Sequence, residues 1–128
     1  TAYDASEGSL YVLFLLCLAM HDKSPNVFAV DNFDQAMNPR LARATTRLFC
    51  EIVKKQNKTA FITTHNPLVL DGLRLDDPAI RLFTVERSQK DGSAQIKRIE
   101  VTEDLINLDQ PLSRLWINGR LGGVPNLL

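Results

Sequence analysis

The residues best suited to chemistry in this 128-residue chain follow two short apolar runs. Asp31 closes the run Val27–Val30, and a carboxylate at a strand end can orient a magnesium-bound water beside a phosphate. The same residue type also starts turns and caps helices, so Asp31 alone leaves both interpretations open. His65 follows the second run, Ala60–Thr63, where an imidazole can bind a terminal phosphate or simply bond to the backbone.

A third candidate stands near the start of the chain, where Ser6-Glu7-Gly8-Ser9 precedes the apolar run Leu10–Met20. Ser6 is a suitable N-cap and Glu7 places an acid in the first turn, which predicts a helix to about His21. Backbone N–H groups and a small hydroxyl at a helix start can bind an anion, although ordinary capped helices use the same residues. Because this helix is apolar on all sides, we expect it to be buried on most faces.

Short elements must position these groups. The unbroken runs Val27–Val30 and Ala60–Thr63 predict parallel strands that are covered on both faces. Asn38-Pro39 predicts the start of an intervening helix. The apolar residues that recur at helical spacing along it are Leu41, Ala44, Leu48, Ile52 and Val53. Ligands bind beyond the carboxyl ends of such parallel strands, so we expect the polar clusters 31–34 and 63–66 to meet there.

The period of the sequence changes near residue 80. Two strands, 80–86 and 95–101, flank Asp91-Gly92 and predict a β-hairpin. Short helices are expected after Thr102 and over Leu112–Asn118. The sum is an α/β fold with parallel strands, helices on both faces of the sheet, an antiparallel hairpin and C-terminal helices.

Composition restricts the class of protein. The 15 Lys and Arg residues balance the 15 Asp and Glu residues, so overall charge gives no reason to expect a nucleic-acid or membrane-surface protein. The longest apolar run, Leu10–Met20, is shorter than the about 20 residues that a membrane span needs. We therefore expect a cytoplasmic protein with no membrane partner. Cys17 and Cys50 lack C-x-x-C spacing and are interpreted as reduced core residues.

The order of these motifs resembles the C-terminal half of an ABC-type ATPase head, in the group that includes SMC-like and OLD-like ATPases. Ser6–Ser9 is similar to the signature motif of that family, and Val27–Asp31 is similar to its Walker B strand. Phe33–Pro39 is similar to the loop that follows, and Phe61–His65 to the strand that carries the switch histidine. The resemblance implies the distal half of a P-loop NTPase sheet.

The resemblance also implies roles for individual residues. Asp31 would hold Mg²⁺ through a water molecule, and His65 would contact the γ-phosphate of ATP or its attacking water. The signature residues would bind ATP held by a second subunit, so that two heads close around two nucleotides as a homodimer. They are Ser6, Glu7, Gly8 and Ser9.

Asn32 departs from the family pattern, which has a catalytic Glu at this position. An amide cannot accept a proton as a carboxylate does. Hydrolysis is then slow and ATP serves mainly as a conformational ligand, or another acid substitutes, with Asp34 the nearest. An engineered replacement of the Glu is a third explanation.

A phosphate-binding loop, G-x-x-x-x-G-K-[ST], does not occur in residues 1–128. The resemblance therefore implies that these residues, which begin at Thr1 without Met, are the C-terminal lobe of a longer or split ATPase domain whose P-loop lobe lies outside them. The tail 115–125 is similar to the ending of bacterial AAA-family ATPases found beside nucleases in phage-defence operons. It implies an effector such as a nuclease in antiviral defence and leaves nucleic acid open as a partner.

Three functions from different classes remain. The first is an ATPase module that dimerises around ATP and regulates an effector. The second is a catalytically weak ABC-like scaffold that binds a partner protein without significant hydrolysis, which Asn32 favours. The third, an unrelated flavodoxin-like α/β domain, requires the order of the motifs to arise by chance. Restoring Glu at position 32 distinguishes the first two, because only a regulated ATPase should respond in rate and effector output.

Overall fold

The structure, a computed structural model, describes residues 6–100, 102 and 110–121. The chain divides into two compact units, Thr1–Leu73 and Arg74–Leu128. Their elements in chain order are α1 (Glu7–Met20), β1 (Val27–Val30), α2 (Pro39–Lys55), β2 (Thr59–Ile62), α3 (Pro67–Leu70), β3 (Leu82–Arg87), β4 (Ala94–Ile99) and α4 (Leu112–Ile117). None of the helices in the described part of the chain has the length and apolar character needed to cross a membrane.

Helix α1 begins and ends where the sequence predicts. The Ser6 hydroxyl caps the helix by accepting a hydrogen bond of 3.1 Å from the Ser9 N–H. At the other end the His21 N–H donates to the Cys17 carbonyl at 2.9 Å. The Lys58 ammonium group donates to the His21 carbonyl at 2.8 Å, which places a positive charge at the negative end of the helix dipole.

Unit 1 is built around two parallel strands joined by α2. Strands β1 and β2 pair in a register that runs from Val27 opposite Thr59 to Val30 opposite Ile62. Between them, the Asn38 side chain caps α2 by accepting a hydrogen bond of 2.9 Å from the N–H of Leu41. The predicted strand–helix–strand unit is therefore present, with β2 one residue earlier than expected.

The core of unit 1 lies between this sheet and the helices α1, α2 and α3. Its aromatic centre is Phe49, whose ring lies 5.0 Å from the ring of Phe33 and 6.2 Å from the ring of Phe28, measured between centroids. The buried residues of the cluster are Leu15, Ala19, Val30, Phe33, Ala42, Phe49, Val53 and Val69. All three helices contribute to it, so unit 1 has one continuous core.

The prediction of helices on both faces of the sheet is wrong for the described residues. Phe28 and Val30 pack against the core, whereas their neighbours Val27 and Phe61 remain 62% and 61% exposed. Helix α1 is likewise buried on one side only, and its exposed apolar side chains include Leu10, Leu13, Phe14 and Met20. The physical reason is that α1, α2 and α3 share a single cluster, which leaves no described element of unit 1 to cover the second face of the sheet.

The buried face of α2 also differs from the prediction. Ala44 and Leu48 are exposed, and the buried positions are Ala42, Thr45, Thr46, Phe49 and Val53. Apolar periodicity missed this face because two threonines lie within it. The Thr46 hydroxyl donates to the Ala42 carbonyl at 2.7 Å, so its polar atom is satisfied inside the helix.

The interpretation of the cysteines as core residues is wrong for Cys17 and holds only in part for Cys50. Both thiols are free, but Cys17 lies on the exposed side of α1 and Cys50 is only half-buried. The exposure of Cys17 follows from the single-sided core, because it lies on the side of α1 that faces away from the cluster.

Unit 2 contains the predicted hairpin. Strands β3 and β4 are antiparallel, with Leu82 opposite Ile99 and Arg87 opposite Ala94. Gly92 has a φ of 73° in the turn between them. Helix α4 is followed by Gly119, with a φ of 72°, as the sequence predicts. The helix expected after Thr102 lies outside the described residues.

Candidate active site

The two polar clusters meet at the carboxyl ends of β1 and β2. Beyond the last strand pair, the Thr63 N–H donates to the Val30 carbonyl at 3.1 Å and the Phe33 N–H donates to the Thr63 carbonyl at 2.9 Å. The Thr63 hydroxyl donates to Oδ1 of Asp31 and accepts a hydrogen bond of 3.0 Å from the Asn32 N–H. The predicted meeting of the strand ends is therefore confirmed, and Asp31 lies in it.

Asp34 lies three residues further along the same loop and is held in a similar way. The Thr64 hydroxyl donates to Oδ1 of Asp34, and the same hydroxyl accepts a hydrogen bond of 3.0 Å from the Asn66 N–H. Asp34 is half-buried, whereas Asp31 is exposed. Two carboxylates thus stand at the strand ends, each bonded to one of two adjacent threonines.

Asn32 occupies the left-handed region of backbone space, with a φ of 50°. Asparagine tolerates this conformation better than glutamate does, because its short polar side chain can bond locally. The Asn32 carbonyl accepts a hydrogen bond of 2.9 Å from the Gln35 N–H, which closes a tight turn. Its side-chain amide is exposed and makes no hydrogen bond with any described residue. The backbone conformation at position 32 therefore suits asparagine, whatever the chemical role of its side chain.

His65 lies at the same end of the sheet, directly after Thr64. The side chain is exposed and makes no hydrogen bond with the described residues. The alternative interpretation of His65 requires a bond from its side chain to the backbone, and the described part of the chain contains no such bond. Among the described residues nothing occupies either ring nitrogen, so both can bind a ligand.

The start of α1 lies against the loop that carries Asp34. Gly8 is buried, and a Cβ at this position would overlap the carbonyl oxygen of Ala36. Ala36 itself has a φ of 60°, a strained conformation for a residue with a Cβ. Ser6 and Ser9 are exposed beside it, with their hydroxyl oxygens 2.8 Å apart. The third candidate therefore adjoins the loop of the other two.

Sequence reasoning gave no sign of this contact. Ala36 carries no signal for positive φ, since alanine ordinarily avoids it. The sequence places Thr63 and Thr64 only in a polar cluster, because the register of the two strands decides which carboxylate each hydroxyl meets.

The site also influences Tyr11 of α1. Burial raises the pKa of this phenol, the Gln35 side chain partly offsets the rise, and the negative charge of Asp34 adds to it. Tyr11 therefore stays neutral at physiological pH and presents no charge to the loop.

The donor set fits a magnesium ion held through water. In the described residues there is no group of three or more His, Cys, Asp or Glu side chains that could enclose a metal ion. Magnesium commonly takes only one or two carboxylates and completes its shell with water and substrate phosphates. The second oxygen of Asp31 has no hydrogen-bond donor among the described residues, so it is free for this purpose.

Residues 1–71 match the family described as "AAA domain, putative AbiEii toxin, Type IV TA system". The chain belongs to this AAA domain family. Membership identifies the matched region as ATPase-like and nucleotide-binding, of a kind that typically uses a divalent metal. No curated protein and no solved structure matches the chain.

The AAA domain match coincides closely with unit 1. It ends at residue 71, and the unit ends at Leu73. Every predicted site residue lies inside the match, whereas the β3–β4 hairpin and α4 lie outside it. The candidate chemistry of the AAA domain is therefore confined to unit 1 of this chain.

Proposed function

We propose that this chain is the C-terminal lobe of an ABC-type ATPase domain that dimerises around ATP and regulates an effector. A P-loop lobe outside residues 1–128 would complete the nucleotide site. The observation that carries the proposal is the meeting of Asp31 with Thr63 at the carboxyl ends of two parallel strands, inside a region of the AAA family.

Each strand-end residue has a role in this proposal. Magnesium, when bound, supplies positive charge to the phosphates. Asp31 holds a water of that ion through its free oxygen, and Asp34 orients or deprotonates the attacking water in place of the usual glutamate. His65 donates a hydrogen bond to the γ-phosphate or to that water. Asn32 can orient the water but cannot take its proton.

The start of α1 is proposed to bind ATP held by a second subunit. The N–H groups of Glu7 and Gly8 have no hydrogen-bond acceptor among the described residues, and the Ser6 hydroxyl beside them is exposed. Ser9 adds a second hydroxyl. Backbone N–H groups at a helix start bind anions well, so a γ-phosphate suits this position. ATP would then join two heads, each completing the site of the other.

The effector is proposed to be a nuclease in an antiviral defence system, located in the cytoplasm. This part of the proposal is supported by the likeness of the tail 115–125 to defence ATPases. Nucleic acid would then reach the assembly through that effector.

The magnesium role is tested by Asp31→Ala in the full-length protein with its P-loop lobe. We expect loss of ATP turnover and of ATP-dependent dimerisation, measured by phosphate release and by light scattering. Asp22→Ala is the matched control, because Asp22 lies in the exposed turn after α1, away from the strand ends. Unchanged turnover and dimerisation in Asp31→Ala would show that the assignment is wrong.

The lobe assignment is tested with residues 1–128 alone. Without a phosphate-binding loop, this chain should bind ATP much more weakly than the full-length protein does, as measured by calorimetry. Equal affinity would refute the proposal that a separate lobe completes the site.

Asn32 supports a second candidate, a scaffold that binds nucleotide or partner without significant hydrolysis. Its exposed amide stands where the family has a catalytic acid. In a scaffold, a carboxylate at position 32 changes neither the ATPase rate nor the effector output.

A further inference from the structure

The Thr63 and Thr64 hydroxyls are each fixed from two sides. Each accepts a hydrogen bond of 3.0 Å from a backbone N–H, which belongs to Asn32 for Thr63 and to Asn66 for Thr64. A backbone N–H can only donate, so each hydroxyl must use its single hydrogen elsewhere. In both cases that hydrogen points to a carboxylate oxygen.

The two carboxylates are thereby oriented by neighbouring residues of one strand end. Asp31 receives its bond from Thr63 and Asp34 receives its bond from Thr64, in each case at Oδ1. One oxygen of each carboxylate is held, and for Asp31 the other is free for a metal-bound water. A hydrogen bond to an ionised carboxylate is roughly twice as strong as one between neutral groups, so it can hold the carboxylate in one orientation.

We propose that Thr63 and Thr64 are positioning residues for the reaction: Thr63 orients the magnesium carboxylate Asp31, and Thr64 orients the base Asp34. This inference rests on the proposed ATPase function. It assigns separate duties to adjacent residues, because Thr63 acts on metal binding and Thr64 acts on the chemical step. Partners that orient a metal ligand or catalytic group typically contribute about 10- to 100-fold in metal affinity or activity.

The test uses valine variants of the full-length protein, because valine keeps the shape of threonine and removes the hydroxyl. Thr63→Val should raise the Mg²⁺ concentration for half-maximal ATPase activity by about tenfold or more. Thr64→Val should lower kcat by a similar factor and leave the KM for ATP and the Mg²⁺ requirement unchanged. Thr63→Ser and Thr64→Ser keep the hydroxyl and should therefore stay close to the parent protein, well short of a change of about tenfold.

Thr59→Val is the matched control, because Thr59 lies at the opposite end of the same strand and is exposed. The active fraction of each variant is measured by titration with a nonhydrolysable ATP analogue. A merely structural tie would reduce that fraction without moving the Mg²⁺ requirement. Should a valine variant not fold, the cysteine variant replaces it, since a thiol is a weak donor.

The outcomes separate the two levels of inference. If Asp31→Ala abolishes turnover while both valine variants match the parent in Mg²⁺ requirement and kcat, the positioning role is overturned and the ATPase function stands. If Asp31→Ala itself has no effect, the proposed function fails first. Serine variants as defective as the valine variants would also overturn the positioning role, because the hydroxyl would then not be the group that matters.

Discussion

At Asn32, the backbone conformation and the proposed reaction favour different residue types. Its φ of 50° favours asparagine, while the proposed reaction favours an acid at the same position. A glutamate there must adopt a conformation that residues with long side chains rarely take. The backbone conformation at position 32 therefore supplies a reason for asparagine that is independent of any catalytic role.

We expect Asn32→Glu to lower the free energy of unfolding by about 1 kcal/mol, because it places a longer side chain at positive φ. Asn32→Asp should lower it by less, since aspartate tolerates this region, and Asn32→Gly should not lower it. Urea denaturation measures all three. In the ATPase assay, a regulated enzyme gains rate with Glu or Asp and not with Gly. Equal stability of Glu and Gly variants would contradict the conformational argument.

The two thiols should differ in reactivity. Burial, with a smaller effect from the charge of Glu51, raises the pKa of Cys50 from 9.0 to about 11, whereas Cys17 is exposed. At pH 8 we expect iodoacetamide to alkylate Cys17 at least about tenfold faster, because the thiolate is the reacting form. Peptide mass spectrometry measures both rates, and Cys17→Ser serves as the control.

The same shift gives a pH dependence of stability. The raised pKa keeps the Cys50 thiol neutral in the folded state at pH values where it ionises in the unfolded chain. Its contribution to the free energy of unfolding is therefore complete below pH 9.0 and is lost as pH rises toward about 11. The unfolding free energy of the parent should therefore fall over this range more than that of Cys50→Ala. Equal alkylation of both thiols at pH 8 would show that Cys50 is not shielded.

At the scale of elements, the contact between α1 and the loop that follows β1 depends on the absence of a side chain at Gly8. Gly8 lies beneath the Ala36 carbonyl, so the helix start and the loop approach more closely than a Cβ permits. The contact joins the proposed anion-binding helix start to the loop that bears Asp34. A substitution at the helix start should therefore also displace the loop that bears Asp34.

Gly8→Ala tests this contact through the sign of its effect. In an open helix, glycine to alanine stabilises by about 1 kcal/mol. Here the overlap with the Ala36 carbonyl should reverse the sign and destabilise unit 1 by about 1–3 kcal/mol. Thermal or urea unfolding measures the difference. A stabilised Gly8→Ala variant would mean that α1 and the loop do not touch.

Local signals and long-range contacts differ in how well the sequence reveals them. The caps Ser6 and Asn38 were predictable because the donor and acceptor lie three residues apart. The position of Asp31 at a strand end was predictable because an acid directly follows a short apolar run in the sequence. The threonine–carboxylate bonds were not, since they join residues about thirty positions apart and depend on strand register. The buried face of α2 was likewise not predictable from apolar residues alone, because it includes Thr45.

At the scale of the whole molecule, the exposed apolar surfaces are the principal conflict with the sequence. An unbroken apolar strand and an all-apolar helix predict cover on every side, and parallel sheets are ordinarily covered on both faces. Val27, Phe61 and Phe14 are instead more than half exposed. Exposed apolar patches of this kind mark interaction surfaces. The proposed P-loop lobe would account for the missing cover.

Truncation of two phenylalanines of unit 1 tests, in residues 1–128, whether one face of the sheet is buried and the other exposed. Phe49 is 1% exposed and Phe49→Ala should cost about 3–5 kcal/mol of unfolding free energy. Phe61 is 61% exposed, and Phe61→Ala should cost less than about 1 kcal/mol, as surface substitutions do. Chemical denaturation of the two variants compares them. Similar losses would mean that the second face of the sheet is already covered.

The Lys58 ammonium group has a consequence for the order of folding. It bonds to carbonyls of His21 and Leu18 at 2.8 and 3.5 Å, and to the Ser24 hydroxyl, so the start of β2 holds the end of α1 across 37 residues of chain. Closing so long a loop costs entropy before any contact is gained. The Ser24 hydroxyl caps the same two carbonyls from three and six residues away, so the end of α1 can form locally. The bond from Lys58 cannot form until the β1–α2–β2 crossover is in place, so the last turn of α1 should gain this second contact only late in the folding of unit 1.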